Sequence, residues 1–402
     1  KDPRMLLSTS ARRRPGGLLA AGAAALLSVL ALAVPAHASS PADAGPPTLT
    51  EAVSARLHDA APGTAAVRGS DTRVDVTRTQ GRWAFGTAVL ATPSGSEELP
   101  EGRLFLAHRD PAGWKVTFDG ESAFTGLART SPVMKAAEQR LLATGADGPR
   151  TQVAGDWRTG MALPYSTGQS WTMAGGPHGW SGTAAPWSSL DLAGGDQVVR
   201  AVRAGTAYTM CQGWIRVLHD RGYATDYYHL WDNISVDGAS VQAGAFLGNT
   251  GTDVTCGGSA LGRHVHLALR NNGAYIGMSG HNLGKWVFQN GGSAYEGSAL
   301  HGSRLVGAGG ALYNYGALGF TQGVVDTDGG TTLTRRTGPG TGYAVAGSVA
   351  DGATVSISCS GTGTTHTGRW GTTSWWHRLS DGTWVSDAFV WTGVDGPVNG
   401  TC

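Results

Sequence analysis

Short apolar segments separated by turn residues run through most of the chain. Segments such as 83–90, 197–202 and 214–219 carry Val, Ile, Phe or Trp at several positions and lie close to glycine or aspartate. Segments of this length and composition are typical of β-strands. The chain also has 63 glycines, spread between these segments rather than repeating with a collagen period. The sequence therefore predicts a mainly β fold with many tight turns.

The pattern of elements divides the chain into three parts, as expected for 402 residues. Residues 39–150 predict helices at 51–58 and 132–142 with strands between them, and we interpret this part as a propeptide of the α+β class. The next part, 151–320, is dense in Gly, Trp and Tyr. We predict a linker at 321–330, where Gly and Asp cluster, and a final domain of short strands at 331–402.

The N-terminal segment has the features of an export signal. Arg12, Arg13 and Arg14 precede a mainly apolar run over 18–34, and Ala36-His37-Ala38 has the small-x-small form of a cleavage site. A membrane anchor is the alternative, but the run is shorter than the ~20 apolar residues that a spanning helix needs. We therefore predict a signal peptide over 1–38 and a secreted protein with no membrane contact once the signal is removed.

Charge and cysteine content restrict the partners and the compartment further. The formal net charge is +1, and Lys and Arg form no cluster beyond the N-terminus, so nucleic acid is not an expected partner. The four cysteines lie downstream of the signal, and an even number in an exported chain predicts disulfides. Sequence position favours one disulfide between Cys211 and Cys256 and another between Cys359 and Cys402. Each would add roughly 4 kcal/mol to the free energy of unfolding in the chain-entropy model. No CxxC spacing supports zinc binding by these thiols.

Histidines and one aspartate of the central part suggest a metal site. Side chains alternate along a strand, so His264 and His266 face one side while Val265 points to the other. Catalytic zinc sites commonly use three protein ligands of mixed histidine and carboxylate type. His178, Asp191 and one of the His264/His266 pair would supply them, and strand geometry alone leaves open which of the pair binds.

Four fragments around these residues resemble one known family. They are Pro177-His178-Gly179, Ser188-Ser189-Leu190-Asp191, Asp226-Tyr227-Tyr228-His229-Leu230 and Arg263-His264-Val265-His266-Leu267, and together they are similar to the M23 zinc endopeptidases. The wide spacing from His178 to Asp191 resembles the β-lytic branch.

This resemblance implies specific roles. His178, Asp191 and His266 would bind one Zn²⁺, and His229 and His264 would be catalytic, either accepting a proton from the attacking water or hydrogen-bonding the oxyanion. It further implies an antiparallel β-sheet peptidase domain over 151–320 that cleaves peptide bonds of bacterial peptidoglycan, in cross-bridge or stem peptide, with Gly-Gly bonds among the candidates.

The C-terminal part carries a second resemblance. Thr334–Tyr343, with its Thr-Gly-Pro-Gly-Thr core, and the segment 384–390 are similar to bacterial SH3-type domains. The resemblance implies a small SH3-like β-barrel that binds the cell wall and raises the local enzyme concentration. Its tryptophans, Trp375, Trp376, Trp384 and Trp391, suit either a peptide-binding surface or the core, and the core is the expectation for any one of them.

Together these features predict a secreted zinc metalloendopeptidase made as a zymogen. We expect a monomer that a processing protease activates by cutting near Arg150. One alternative is a non-catalytic wall-binding or regulatory protein that retains the peptidase fold, although the five site residues are intact. The other is a different zinc hydrolase, such as a D-alanyl-D-alanine peptidase, but its Glu-x-x-His element does not follow Asp191.

Overall fold

The computed structural model describes residues 47–60, 71–145 and 155–402. The predicted signal peptide 1–38 and most of the predicted linker near Arg150 lie outside the described residues. We call the described parts the N-terminal unit (47–145), the central unit (155–321) and the C-terminal unit (322–402), and they belong to one compact body. Every helix in these parts is too short or too polar to cross a bilayer.

The N-terminal unit combines three helices with a four-stranded antiparallel sheet in the order β1-β2-β3-β4. Helix α1 begins with a capping box, in which Thr48 N donates to the Glu51 carboxylate (2.8 Å) and Glu51 N donates to Thr48 Oγ1 (3.3 Å). The elements are α1 Leu49–Ala60, β1 Asp71–Gln80, β2 Trp83–Ala91, β3 Glu101–Asp110, β4 Gly113–Phe118, α2 Ser122–Ala128 and α3 Ala136–Gly145.

Strand β2 is buried on both of its faces. On one face Ala84 and Ala88 pack under α1 against Leu57. On the other face Phe85 packs in a cluster that includes Trp214 of the central unit. Because successive side chains of a strand point to opposite sides, a strand that is apolar on both faces must be covered twice. The central unit therefore completes the second face of the N-terminal sheet.

The central unit is built on a nine-stranded antiparallel sheet in the order β11-β8-β9-β10-β13-β6-β5-β19, with β14 paired to β13. The middle strands β10 and β13 are buried almost throughout, because the core of the unit covers one face and the N-terminal unit covers the other. The predicted mainly β, antiparallel fold is confirmed. The strands are β5 Ser170–His178, β6 Ser189–Ala193, β7 Val198–Arg200, β8 Gly205–Cys211, β9 Trp214–Leu218, β10 Tyr223–Tyr228, β11 Asp237–Val241, β12 Phe246–Asn249, β13 Val265–Asn271, β14 Ala274–Tyr275, β15 Asn282–Leu283, β16 Trp286–Gln289, β17 Ser298–His301, β18 Arg304–Gly307 and β19 Ala311–Tyr313.

The C-terminal unit is a seven-stranded antiparallel sheet in the order β22-β21-β25-β24-β23-β20-β26. Its first strand corrects the sequence-based prediction of a linker at 321–330, because β20 pairs with β23 and β26. Val324 and Val325 of this strand are buried, and the Gly- and Asp-rich turn that suggested a linker only follows them. The strands are β20 Gln322–Val325, β21 Thr332–Arg336, β22 Val345–Ala350, β23 Thr354–Gly368, β24 Gly371–Leu379, β25 Trp384–Ser386 and β26 Val390–Trp391.

Both predicted disulfide pairings are confirmed. Cys211 is bonded to Cys256 in the central unit, and Cys359 is bonded to Cys402 in the C-terminal unit. Of the tryptophans that suit a binding surface or a core, Trp376 and Trp391 are buried. The SH3-type assignment of this unit stays a prediction.

Candidate metal centre

Two neighbouring strands bring Asp191 and His266 together. Asp191 lies on β6 and His266 on β13, and the two residues are directly opposite each other in the antiparallel register. Side chains of directly opposed residues lie on the same face of the sheet and are within contact distance. Accordingly, His266 Nδ1 is 3.0 Å from Asp191 Oδ1.

His178 reaches the same point from the end of β5. Its Nδ1 is 2.7 Å from the carbonyl oxygen of Gly176, so Nδ1–H donates there and the lone pair of Nε2 points into the site. Nε2 lies 3.5 Å from Asp191 Oδ1 and 3.2 Å from His266 Nδ1. Strand β5 is irregular on both sides of Gly175. A Cβ at Gly175 would lie 2.8 Å from Asp191 Oδ2, so glycine leaves the room that the carboxylate occupies.

The three groups form a set of donor atoms that fits a cation. One atom of each of His178, Asp191 and His266 lies within 4.8 Å of the others. The carboxylate and His178 Nε2 offer only lone pairs, and buried His266 Nε2 has no hydrogen-bond partner among the described residues. A cation held between the three groups would accept these lone pairs, so no proton is needed between the donor atoms. Two imidazoles and one carboxylate with a further open position are a donor set that catalytic zinc uses.

Protonation equilibria favour the ligand forms of two of these groups. Burial lowers the pKa of His266 to about 4 despite its contact with Asp191, so its imidazole is neutral at pH 7. Burial acts to raise the pKa of Asp191, but the neighbouring His178 and His266 outweigh it and hold this pKa well below the ordinary value. Asp191 is therefore a carboxylate.

His229 lies beside the donor group at the end of β10. Its backbone has φ 67°, and its Nδ1 is 3.0 Å from the carbonyl oxygen of Asp253. Donation from Nδ1–H leaves Nε2 as an acceptor. Burial, followed by the nearby His266 and His264, lowers the pKa of His229 to about 3. The imidazole is therefore neutral at physiological pH.

His264 faces the same site from just before β13. Its Nδ1 is 2.9 Å from the carbonyl oxygen of Gly262, which again leaves Nε2 free to accept a proton. Nε2 lies 3.6 Å from Asp191 Oδ1, and the ring centroid is 4.9 Å from that of His229. The predicted common direction of His264 and His266 is confirmed, because both imidazoles approach the same carboxylate oxygen.

Residues beyond the predicted five complete the site. Tyr295 stacks on His178 with ring centroids 4.0 Å apart, and the sequence offered no signal for it because it follows a Gly-Gly-Ser stretch with no strand pattern. Trp180 also lines the cleft that holds the donor group. Tyr227 of the same motif fragment as His229 is instead a fully buried core residue, and its hydroxyl accepts from Val202 N.

The donor group lies at the bottom of a cleft of about 450 Å³. Most of its wall belongs to the central unit, including the loops that carry Thr183 and Leu261. Glu97 and Leu99 of the N-terminal unit also line it.

Comparison with known proteins gives this geometry a context. No family model matches the chain. Protease LasA of Pseudomonas aeruginosa is 34% identical over 148 residues, which are 34% of this chain and 35% of LasA. Beta-lytic metalloendopeptidase of Achromobacter lyticus is 30% identical over 149 residues, which are 34% of this chain and 40% of that protein. The chain thus spans well under half the length of either curated relative.

The chain aligns with a much larger share of one solved structure. The M23 metalloprotease pseudoalterin, from the deep sea, is 30% identical, with 38% of this chain and 97% of that chain covered and a TM-score of 0.36. Sequence identities of 30–34% to these three peptidases support one family. The chain belongs to the M23 family of metallopeptidases. In this M23 protein the similarity covers little more than a third of the sequence, so the N-terminal and C-terminal units are interpreted from their own structure.

Proposed function

We propose that this M23 protein is a secreted zinc metalloendopeptidase that hydrolyses peptide bonds of bacterial peptidoglycan. The observation that carries the proposal is the convergence of His178 Nε2, Asp191 Oδ1 and His266 Nδ1 at the bottom of a cleft, with two further imidazoles beside them. Zn²⁺ held by these three groups would supply Lewis acidity to a water molecule and to the scissile carbonyl.

The chain's own residues move the protons. His229 and His264 each hold Nδ1–H against a backbone carbonyl and present the lone pair of Nε2 to the cleft. Either Nε2 can accept the proton of the attacking water, and the resulting imidazolium can donate it to the leaving amine or to the developing oxyanion. Burial keeps His229 neutral before the reaction, so the lone pair of Nε2 is available, and its low pKa makes the imidazolium a ready proton donor to the leaving amine.

The proposal includes synthesis as a zymogen, in which the N-terminal unit covers the cleft. We call residues 92–100 the cleft segment. Its backbone pairs with the rim of the central unit, since Thr92 N donates to the Cys256 carbonyl (3.0 Å) and Gly95 N donates to the Gly258 carbonyl (2.8 Å). On the other rim Leu99 N donates to Ser181 Oγ (3.1 Å). A wall peptide and the cleft segment would compete for the same space.

The C-terminal unit would serve as the wall-binding module. Its small core and its position after the peptidase region agree with a targeting domain that raises the local enzyme concentration. Cutting near Arg150 by a processing protease would be the first step of maturation.

The test compares Asp191→Asn with Asp196→Asn in the activated protein. Asp196 lies in an exposed turn after β6, and asparagine there keeps the Oδ1 that accepts from Val198 N. We expect Asp191→Asn to lose bound zinc and to reduce the clearing of a cell-wall suspension more than about 100-fold, because even outer-shell changes cost 10- to 100-fold. Asp196→Asn is expected to match the unchanged protein.

Chelation and product analysis complete the test. Activity should disappear on removal of zinc and return when zinc is restored, and mass analysis of the released muropeptides would identify the scissile bond. Clearing that survives complete chelation would contradict the proposal. Bound zinc without any released peptide would favour the non-catalytic wall-binding alternative.

A further inference from the structure

The N-terminal and central units share one apolar core. Phe85, Leu104 and Leu106 of the N-terminal sheet pack with Tyr208 and Trp214 of the central sheet, and each of the five is at most 1% exposed. Large aromatic and aliphatic side chains in a fully desolvated cluster dominate the energetics of interfaces. The contact between these units is therefore built like the interior of a domain.

Buried polar contacts cross the same interface. Arg216 of the central unit is fully buried and donates to the Gly102 carbonyl (3.1 Å) and to Asp119 Oδ2 (3.2 Å) of the N-terminal unit. Tyr208 Oη donates to Glu138 Oε1 (2.7 Å), and Glu138 is 1% exposed. Hydrogen bonds to charged groups are the stronger ones, and they also fix the relative orientation of the two surfaces.

The two backbones approach closely where glycines occur. A Cβ at Gly102 would lie 2.5 Å from Trp214 Cη2, so the indole packs directly on the strand. A Cβ at Gly120 would lie 2.8 Å from the Cα of Gly273 in the central unit. Such a fit requires small residues at these positions.

None of these contacts depends on the peptide chain between 145 and 155, and both disulfides lie on the C-terminal side of it. We infer that the N-terminal unit stays bound after the chain is cut in 146–154 and acts as a non-covalent inhibitor of the peptidase. Cutting there does not by itself open the cleft, and activation requires a second event that destroys the N-terminal unit. The inhibitory half of this inference rests on the proposed function.

The experiment uses the full-length precursor with the recognition sequence of a site-specific protease placed in 146–154. After complete cutting, gel filtration at about 1 µM protein shows whether the two pieces elute together. We expect co-elution and no rise in the clearing of a cell-wall suspension over the uncut precursor. Separate elution would overturn the inference, and so would a co-eluting complex that clears the suspension.

Matched variants test which residues hold the cut N-terminal unit on the central unit. Gly102→Ala places a methyl group against Trp214, and we expect it to weaken retention of the cut N-terminal unit at least about tenfold. Gly126→Ala is the control, because a Cβ at this exposed helical position meets no atom within 4 Å, and it should leave retention unchanged.

Tyr208→Phe keeps the volume of the side chain and removes only its hydrogen bond to Glu138, so it tests the interface even if Gly102→Ala impairs folding. We expect about tenfold weaker retention from it. Equal retention by all three variants would overturn the assignment of this surface.

Retention is measured without substrate, so it is independent of the proposed activity. If the peptidase stays in solution with unchanged circular dichroism but remains inactive after the N-terminal unit has been digested away, the proposed function fails, while co-elution still reports on the interface.

Discussion

The N-terminal and C-terminal units each contain a small antiparallel sheet and pack on the central unit, but the two contacts differ in extent. The N-terminal sheet shares a core with the central sheet through residues such as Phe85 and Trp214. The C-terminal unit has its own core, which includes Val355 and Val385. It meets the central unit through a smaller apolar cluster, in which Val287 and Leu318 pack with Val324 and Trp391. Hydrogen bonds add to this contact, for example from Trp157 N to the Gly393 carbonyl (2.7 Å).

This difference indicates what each unit can do. A sheet whose second face is completed by a neighbour folds and stays with that neighbour, which suits a cover for the cleft. A unit with its own core and a smaller shared contact is expected to keep its structure when its surroundings change, which would suit a module that binds a separate polymer. The predictions below test this contrast, beginning with the largest expected effect.

Omission of either unit should have unequal consequences for folding. A chain that lacks the N-terminal unit would expose Tyr208 and Trp214 in one apolar patch, so we expect at least about tenfold less soluble protein than from the precursor. Supplying residues 39–145 as a separate chain should restore the yield. A chain that ends at 321 should remain soluble, and equal losses from the two omissions would contradict the contrast. Soluble yield and circular dichroism provide the measurement.

Loss of one carboxylate charge should cost more stability at the N-terminal interface than at an exposed ion pair within the C-terminal unit. Asp119 accepts from fully buried Arg216 across the N-terminal interface. Arg216 keeps its bidentate pair with Asp226, so Asp119→Asn is expected to lower the free energy of unfolding by about 2 kcal/mol, as for the loss of a buried hydrogen bond to a charged group. Asp328 pairs with Arg369 in the C-terminal unit with side chains 54% and 33% exposed. Asp328→Asn should cost under about 1 kcal/mol.

Denaturant unfolding of the precursor measures both values. Similar losses from the two substitutions would show that the interface is hydrated rather than interior-like.

Acid should weaken the side of the central unit that faces the N-terminal helices. His219 lines the cavity beside α2 and α3, and burial lowers its pKa to about 4 from an unfolded value of 6.5, although its bond to the Ala204 carbonyl opposes this. The unfolded chain therefore binds more protons between these values. Stability is full above pH 6.5 and falls as pH drops towards 4, by at most about 1.4 kcal/mol per pH unit for this group.

His219→Gln should flatten the pH dependence of the unfolding free energy between pH 4 and 6.5 by up to one proton. His58→Gln, at a half-buried position on α1 far from His219 in sequence, serves as the control for the same slope. An unchanged slope in His219→Gln would show that this imidazole does not titrate with unfolding.

The sequence by itself determined the local features. Alternation along 264–267 predicted that two imidazoles face one side, turn residues marked the ends of most strands, and the order of the cysteines predicted both disulfides. These features depend on neighbours a few residues apart, or on pairing within one part of the chain. The motif fragments also named the five residues that meet at the cleft.

Only the tertiary structure decided which groups lie together. The register between β6 and β13 puts Asp191 opposite His266, so His266 rather than His264 enters the three-donor group. Likewise Glu97 and Leu99 of the cleft segment line the cleft from about 80 residues before His178. The first part of the predicted linker is a strand because Val324 and Val325 pair with β23 and β26. Sheet pairing joins strands that are far apart in sequence, and local periodicity carries no information about which strands will meet.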